Sequence, residues 1–269
     1  MEKVDGMAGR LTPRLGIWQE IPSPSVSRYL AAMGWDFVVL DMQHGAMTSE
    51  TAYQCIHILR AMGVEPWVRV SIGAAAEIQR ALDWGAQCIA VPMVNTAADA
   101  HAAAQCAKYP PLGVRSVGGD FATHQGHDYP ERANRETRLL VQVEHLDAVQ
   151  NIDEILSTPG VDGVFVGPTD LALSMGLQRN GFANDLRHKE ALQLTLEATL
   201  ASGKAACCNS YSMTDAAERF SQRWHCVTFR SDVDLLMSSG RDLLSELRQA
   251  ASTSSMPQNV VAKSRVTLE

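Results

Sequence analysis

The chain has 269 residues, 46% of them apolar and 20% charged, with a formal net charge of −7. That length buries one large α/β core or two smaller ones. Without a run of Lys or Arg longer than two, nothing favours a phosphate backbone or an anionic membrane surface, so neither nucleic acid nor membrane is an expected partner.

Apolar runs rich in β-branched residues alternate with segments of helical period. Strands are predicted over 15–18, 37–41, 67–70, 88–93, 139–144, 163–166, 204–208 and 226–229. Helices follow over 24–33, 50–62, 75–84, 97–108, 146–156, 187–201, 214–221 and 233–249. Continuous apolar strands are buried on both faces, and eight βα units in about 250 residues close a parallel barrel. The predicted fold is therefore α/β, a (β/α)8 TIM barrel over 1–250. An open doubly wound sheet is the competitor, disfavoured because no GxGxxG follows the first strand.

Two segments break the repeat. Residues 110–137 are too long and Gly-rich for an ordinary connection, which reads as a functional loop, often a lid. Residues 251–269 are Ser-rich without periodicity and read as a flexible or assembly-related tail. The six cysteines, at 55, 88, 106, 207, 208 and 226, lack CxxC spacing and lie mostly in apolar segments, which reads as reduced thiols. No apolar run approaches the ~18 residues of a membrane span, and the N-terminus lacks the apolar core of a signal peptide. A cytoplasmic, soluble protein is expected.

Chemistry in such a barrel sits at the C-terminal strand ends. Polar residues gather there: Asp41, Gln43 and His44 after strand two, Arg69 in strand three, Gln142 and Glu144 in strand five, and Thr169 and Asp170 after strand six. Glu144 and Asp170 end neighbouring strands ~4.8 Å apart. Two such carboxylates suit a hard divalent ion, Mg²⁺ or Mn²⁺, although from spacing alone each reads more readily as a helix cap or loop ligand. His44 has the titration range for proton abstraction, with Asp41 or Asp83 to orient it, or is simply a solvated loop residue. Arg69, flanked by valines, needs an anion, either a structural carboxylate or a substrate oxygen. Thr169 reads as an N-cap beside free helix amides that suit a carboxylate. His57, His101, His124, His127 and His145 read as surface, packing or helix-start residues.

These residues lie in motifs that resemble the HpcH/HpaI family of metal-dependent 2-oxo acid aldolases, from Gly16 to about Leu247. The motifs are GIW at 16–18, LDMQHG at 40–45, VRV at 68–70, ALDWGAQ at 81–87, VPMV at 91–94, YPPLGVRSVGG at 109–119, LVQVE at 140–144 and GVDGVFVGPTDLALSMG at 160–176. The resemblance implies a barrel of the phosphoenolpyruvate/pyruvate-domain type with Mg²⁺ or Mn²⁺, or Co²⁺ in their place, on Glu144 and Asp170. It implies reversible cleavage of a 4-hydroxy-2-oxo acid to pyruvate and an aldehyde. His44 paired with Asp83 would transfer protons and Arg69 would stabilise the enolate. Gln142, Thr169 and Asp170 would hold pyruvate, Asp41 would support the site from behind, and the assembly would be a homohexamer.

Lys108, Lys189 and Lys204 fall on a helix end, a loop and the N-terminal end of a strand, so a Schiff base is not expected. Gln43 stands where the family commonly has an acidic residue, which bears on the metal, and Arg230 replaces a small residue, which bears on the pocket rim or a subunit contact. Citrate-type or acyl-thioester lyase chemistry, oxaloacetate decarboxylation and a ligand-binding barrel without turnover are the alternatives.

Overall fold

The computed structural model describes residues 13–179 and 181–253. Eight strands, β1 (Arg14–Gln19), β2 (Phe37–Asp41), β3 (Glu65–Arg69), β4 (Cys88–Val91), β5 (Arg138–Val143), β6 (Gly163–Val166), β7 (Ala205–Ser210) and β8 (Cys226–Ser231), pair in sequence order. All pairings are parallel, and β8 returns to β1 to close the barrel. This is the (β/α)8 fold expected from the sequence.

Helices α1 (Pro24–Ala32), α2 (Ser49–Ala61), α3 (Ala75–Asp83) and α4 (Ala97–Ala107) link the first five strands, with α5 (Asp120–Thr123) and α6 (Tyr129–Glu136) inside the segment expected to be a loop. Pro130 in the first turn, Glu131 near the positive end and Arg135 in the last turn account for α6. Its apolar face is only Tyr129 and Ala133, which join Tyr109, Ala122 and Phe121 in a satellite core. The single helix predicted over 146–156 is two, α7 (Leu146–Gln150) and α8 (Ile152–Ser157). They part at Asn151, whose side-chain amide donates to the Asn95 carbonyl. Then come α9 (Pro168–Ser174), a 3-10 turn at Phe182–Asn184, α10 (Leu186–Ala201), α11 (Met213–Ser221) and α12 (Asp232–Thr253).

The chain divides into two compact units after Asp232. In the first, Asp232 accepts from the backbone N–H groups of Glu20 and Ile21, tying the end of β8 to that of β1. The second is the remainder of α12, which runs to Thr253; the tail expected from 251 lies outside the described residues beyond that point. Among the described residues no helix is long and apolar enough to cross a membrane. Cys55, Cys88, Cys207, Cys208 and Cys226 are buried free thiols and Cys106 is half-buried, as expected.

The barrel interior is filled from the bottom up. Arg14 and Glu65 pair at 2.7 Å, and Trp67 donates to the same carboxylate. Above them Phe37 stacks on Trp67 with centroids 3.9 Å apart, a fit made possible by Gly16, where a Cβ would lie 2.2 Å from the Phe37 ring. Trp18 meets Phe165 edge-on to complete an apolar plug with Cys88, Leu140, Cys207 and Cys226. Above this plug, polar side chains line the C-terminal mouth.

Candidate active site

Asp41 ends β2 and is almost fully buried. Its carboxylate takes Arg69 in a two-pronged pair, Nε to Oδ1 at 3.0 Å and Nη2 to Oδ2 at 2.6 Å. It also accepts from the backbone N–H groups of Gln43 and His44. Burial pushes the Asp41 carboxyl up, but Arg69 and the two N–H groups outweigh it and hold it below its ordinary range. The anion demanded by Arg69 is thus a structural carboxylate, and the guanidinium lies over the Trp18 ring at 4.4 Å. Arg69 Nη1 makes no hydrogen bond among the described residues, so one donor edge remains for a ligand.

Glu144 follows β5 and is 4% exposed. Oε2 accepts from the Met93 N–H at 3.0 Å and Oε1 from the Gln142 amide at 3.1 Å. Burial drives its pKa up to about 7; the Met93 N–H opposes that, and the nearby Asp170 carboxylate adds to it. Met93 presents that N–H from a left-handed backbone, φ 56°, which costs of order 1 kcal/mol.

Asp170 sits in the first turn of α9, exposed toward the mouth. Gly167 caps α9 and Pro168 occupies its first position, so Thr169 is not the N-cap expected from sequence. The Thr169 hydroxyl instead donates to Tyr211 at 2.8 Å. His188 of α10, buried, bonds the Pro168 carbonyl at 2.9 Å and pins the turn from behind.

A divalent cation fits this arrangement. Two oxygen-only carboxylates converge with no thiol or imidazole between them, and the side-chain oxygens of Gln142 and Gln43 are buried without a partner. Among the described residues no group of three or more His, Cys, Asp and Glu converges, so a cation here would rest on these two carboxylates, with its other positions left to ligands from outside the chain.

The expected pairing of His44 with Asp83 is not made among the described residues. Asp83 receives Arg115 at 2.6 Å, while His44 is exposed with no side-chain hydrogen bond among the described residues. Lys108 is used up on Asp162 and two carbonyls, and Lys204 bonds the Leu156 carbonyl. Sequence reading missed Met93, His188, Asn209 and Tyr211. For Asn209 and Tyr211 the signal was present: β7 runs two residues past its predicted end, bringing them to the mouth.

A buried carboxylate, a second one in the first turn of α9 and an arginine paired with Asp41 thus lie at the C-terminal mouth of a parallel barrel, the end at which enzymes of this fold carry their chemistry. The family model "HpcH/HpaI aldolase/citrate lyase" matches residues 14–237, and the chain belongs to that family of carbon–carbon lyases. It is 32% identical to the hydroxypyruvate/pyruvate aldolase of Deinococcus radiodurans over 91% of this chain and 90% of that one. Identity to an Escherichia coli 4-hydroxy-2-oxo-heptane-1,7-dioate aldolase is 34%, covering 74% and 76%. The crystal structure of a family protein from Burkholderia cenocepacia superposes with a TM-score of 0.83 at 30% identity, covering 90% and 97%.

Proposed function

We propose that the chain is a metal-dependent class II aldolase that interconverts a 4-hydroxy-2-oxo acid with pyruvate and an aldehyde. The observation that carries this reading is the buried Glu144, near enough to the Asp170 carboxylate of α9 for that charge to raise its pKa, together with an arginine whose charge Asp41 holds in place. Glu144 and Asp170 would hold a divalent cation, Mg²⁺ or Mn²⁺, which would supply Lewis-acid stabilisation of the enolate. Arg69 directs its remaining N–H edge at the enolate oxygen, preorganised by Asp41 so that no reorientation accompanies charge development. The Thr169 and Asp170 backbone N–H groups, which lack intrahelical acceptors, receive the pyruvate carboxylate, and Gln142 borders it. His44 moves the proton, its loop anchored by its own N–H on Asp41. The functional form is a homo-oligomer, a hexamer by family resemblance.

The test follows the methyl protons of pyruvate in deuterium oxide by NMR. Metal-loaded protein should exchange them, chelator should stop exchange, and His44→Ala should slow it at least 100-fold, within the ~10²–10⁴ range of general acid–base catalysis. Exchange indifferent to both chelator and His44→Ala overturns the mechanism.

A further inference from the structure

The enolate half of the site draws on the ends of β2 to β6, which leaves β7, β8 and β1 to face an incoming aldehyde. Those three ends carry a connected polar set. Asn209 of β7 and Thr228 of β8 are register partners, and the Thr228 hydroxyl donates to the Asn209 side-chain oxygen at 2.8 Å. Trp18 Nε1 of β1 lies 3.1 Å from each of those oxygens. Asn209 also reaches the Tyr211 hydroxyl, which accepts from Thr169 at 2.8 Å. The chain of contacts therefore runs from Trp18, under the Arg69 guanidinium, to Thr169, next to Asp170.

Counting donors shows what the set lacks. The Asn209 oxygen is filled by Trp18 and Thr228, and the Tyr211 oxygen accepts from Thr169 and lies near the Asn209 amide, which can give it one hydrogen at most. The Tyr211 hydroxyl proton and the second amide hydrogen of Asn209 have no acceptor within the set. A wholly apolar aldehyde would leave both unpaired on closing the site, at a cost a hydroxylated one avoids.

We propose that Asn209, Tyr211 and Thr228 form the acceptor half of the site and select an aldehyde bearing a hydroxyl beside its carbonyl carbon. This rests on the aldolase reading above. The set determines specificity; it takes no part in forming the enolate.

The experiment compares kcat/KM for two matched pairs with pyruvate as donor, glycolaldehyde against acetaldehyde and glyceraldehyde against propionaldehyde. The unmodified enzyme should favour the hydroxylated member by about tenfold or more, the worth of one satisfied donor. Asn209→Leu and Tyr211→Phe should each bring the ratio toward one, through a raised KM for the hydroxylated aldehyde. Asn209→Asp, which keeps the shape and removes the amide donors, should do the same if the leucine variant fails to fold. A ratio near one in the unmodified enzyme, or variants that slow both members of a pair equally, overturns the inference. Pyruvate exchange without aldehyde separates the two readings. Exchange with a flat ratio removes only the acceptor assignment, and absent exchange removes the aldolase reading and this inference with it.

Discussion

Glu144 occupies the space that any side chain at position 167 would need: a Cβ on Gly167 would lie 2.8 Å from both its Cγ and Oε1. The backbone at 167 has an ordinary φ of −98°, so the requirement is room rather than conformational freedom. Gly167→Ala should therefore displace the carboxylate while the barrel stays folded. Mn²⁺ affinity, read by electron paramagnetic resonance, should fall by about tenfold or more, as when the shell behind a metal ligand is altered; unchanged affinity would remove Glu144 as a ligand. Asp41 makes a different prediction. Its carboxyl is held below its ordinary 3.8 when folded, so its pair with Arg69 stabilises fully above that value and is lost as pH falls through the folded pKa. Asp41→Asn should lower stability at neutral pH by about 3 kcal/mol, because the arginine stays buried without its partner. Urea unfolding from pH 7 downward should show the difference between the two proteins shrinking as acid removes the same pair from the parent.

The bulge in β8 shows how an element can be right in outline and strained in detail. Gly16 pairs with Thr228 but Trp18 pairs with Ser231, so Phe229 and Arg230 together oppose one residue of β1. The turn is absorbed by Arg230 at φ 59°, a conformation that penalises any Cβ. Arg230 is exposed there, its guanidinium 5.4 Å from the Phe229 ring. Arg230→Gly should relieve about 1 kcal/mol and raise the melting temperature by about 2–4 °C, checked by calorimetry. A lowered melting temperature would mean that the cation contributes more than the strain costs. The strands themselves were legible because burial on both faces writes itself as unbroken apolar runs. Helices α5 and α6 were not, since α6 shows only two buried residues and packs against a satellite cluster rather than the barrel. The site follows the same logic. Asp41, Arg69 and Gln142 were readable as polar residues in apolar strands, and Glu144 and Asp170 as carboxylates just past two strand ends. The Met93 N–H and the Pro168 carbonyl that His188 holds are backbone groups, which have no letter in the sequence.

For the whole molecule, the unsettled quantity is assembly, and the last 20 described residues bear on it. Within α12, Leu236, Gly240, Leu243, Leu244 and Leu247 fall on one side at the 3.6-residue period, and Leu236, Leu243 and Leu247 are each at least 60% exposed. Sheltering one such leucine from water is worth about 1.5–3 kcal/mol, so a row of them on a single helix needs an apolar counterpart. A second copy of this chain would supply one at equal concentration, as the homo-oligomer proposed for the working form requires. Light scattering on the purified protein should give an integral multiple of the chain mass, and Leu243→Glu combined with Leu247→Glu should reduce it while leaving the barrel's far-ultraviolet circular dichroism in place. Carboxylates at those positions would lose their hydration on assembly without gaining a cation, which disfavours the oligomer far more than the fold. A parent that already runs at the mass of one chain would assign that leucine row to something other than self-association.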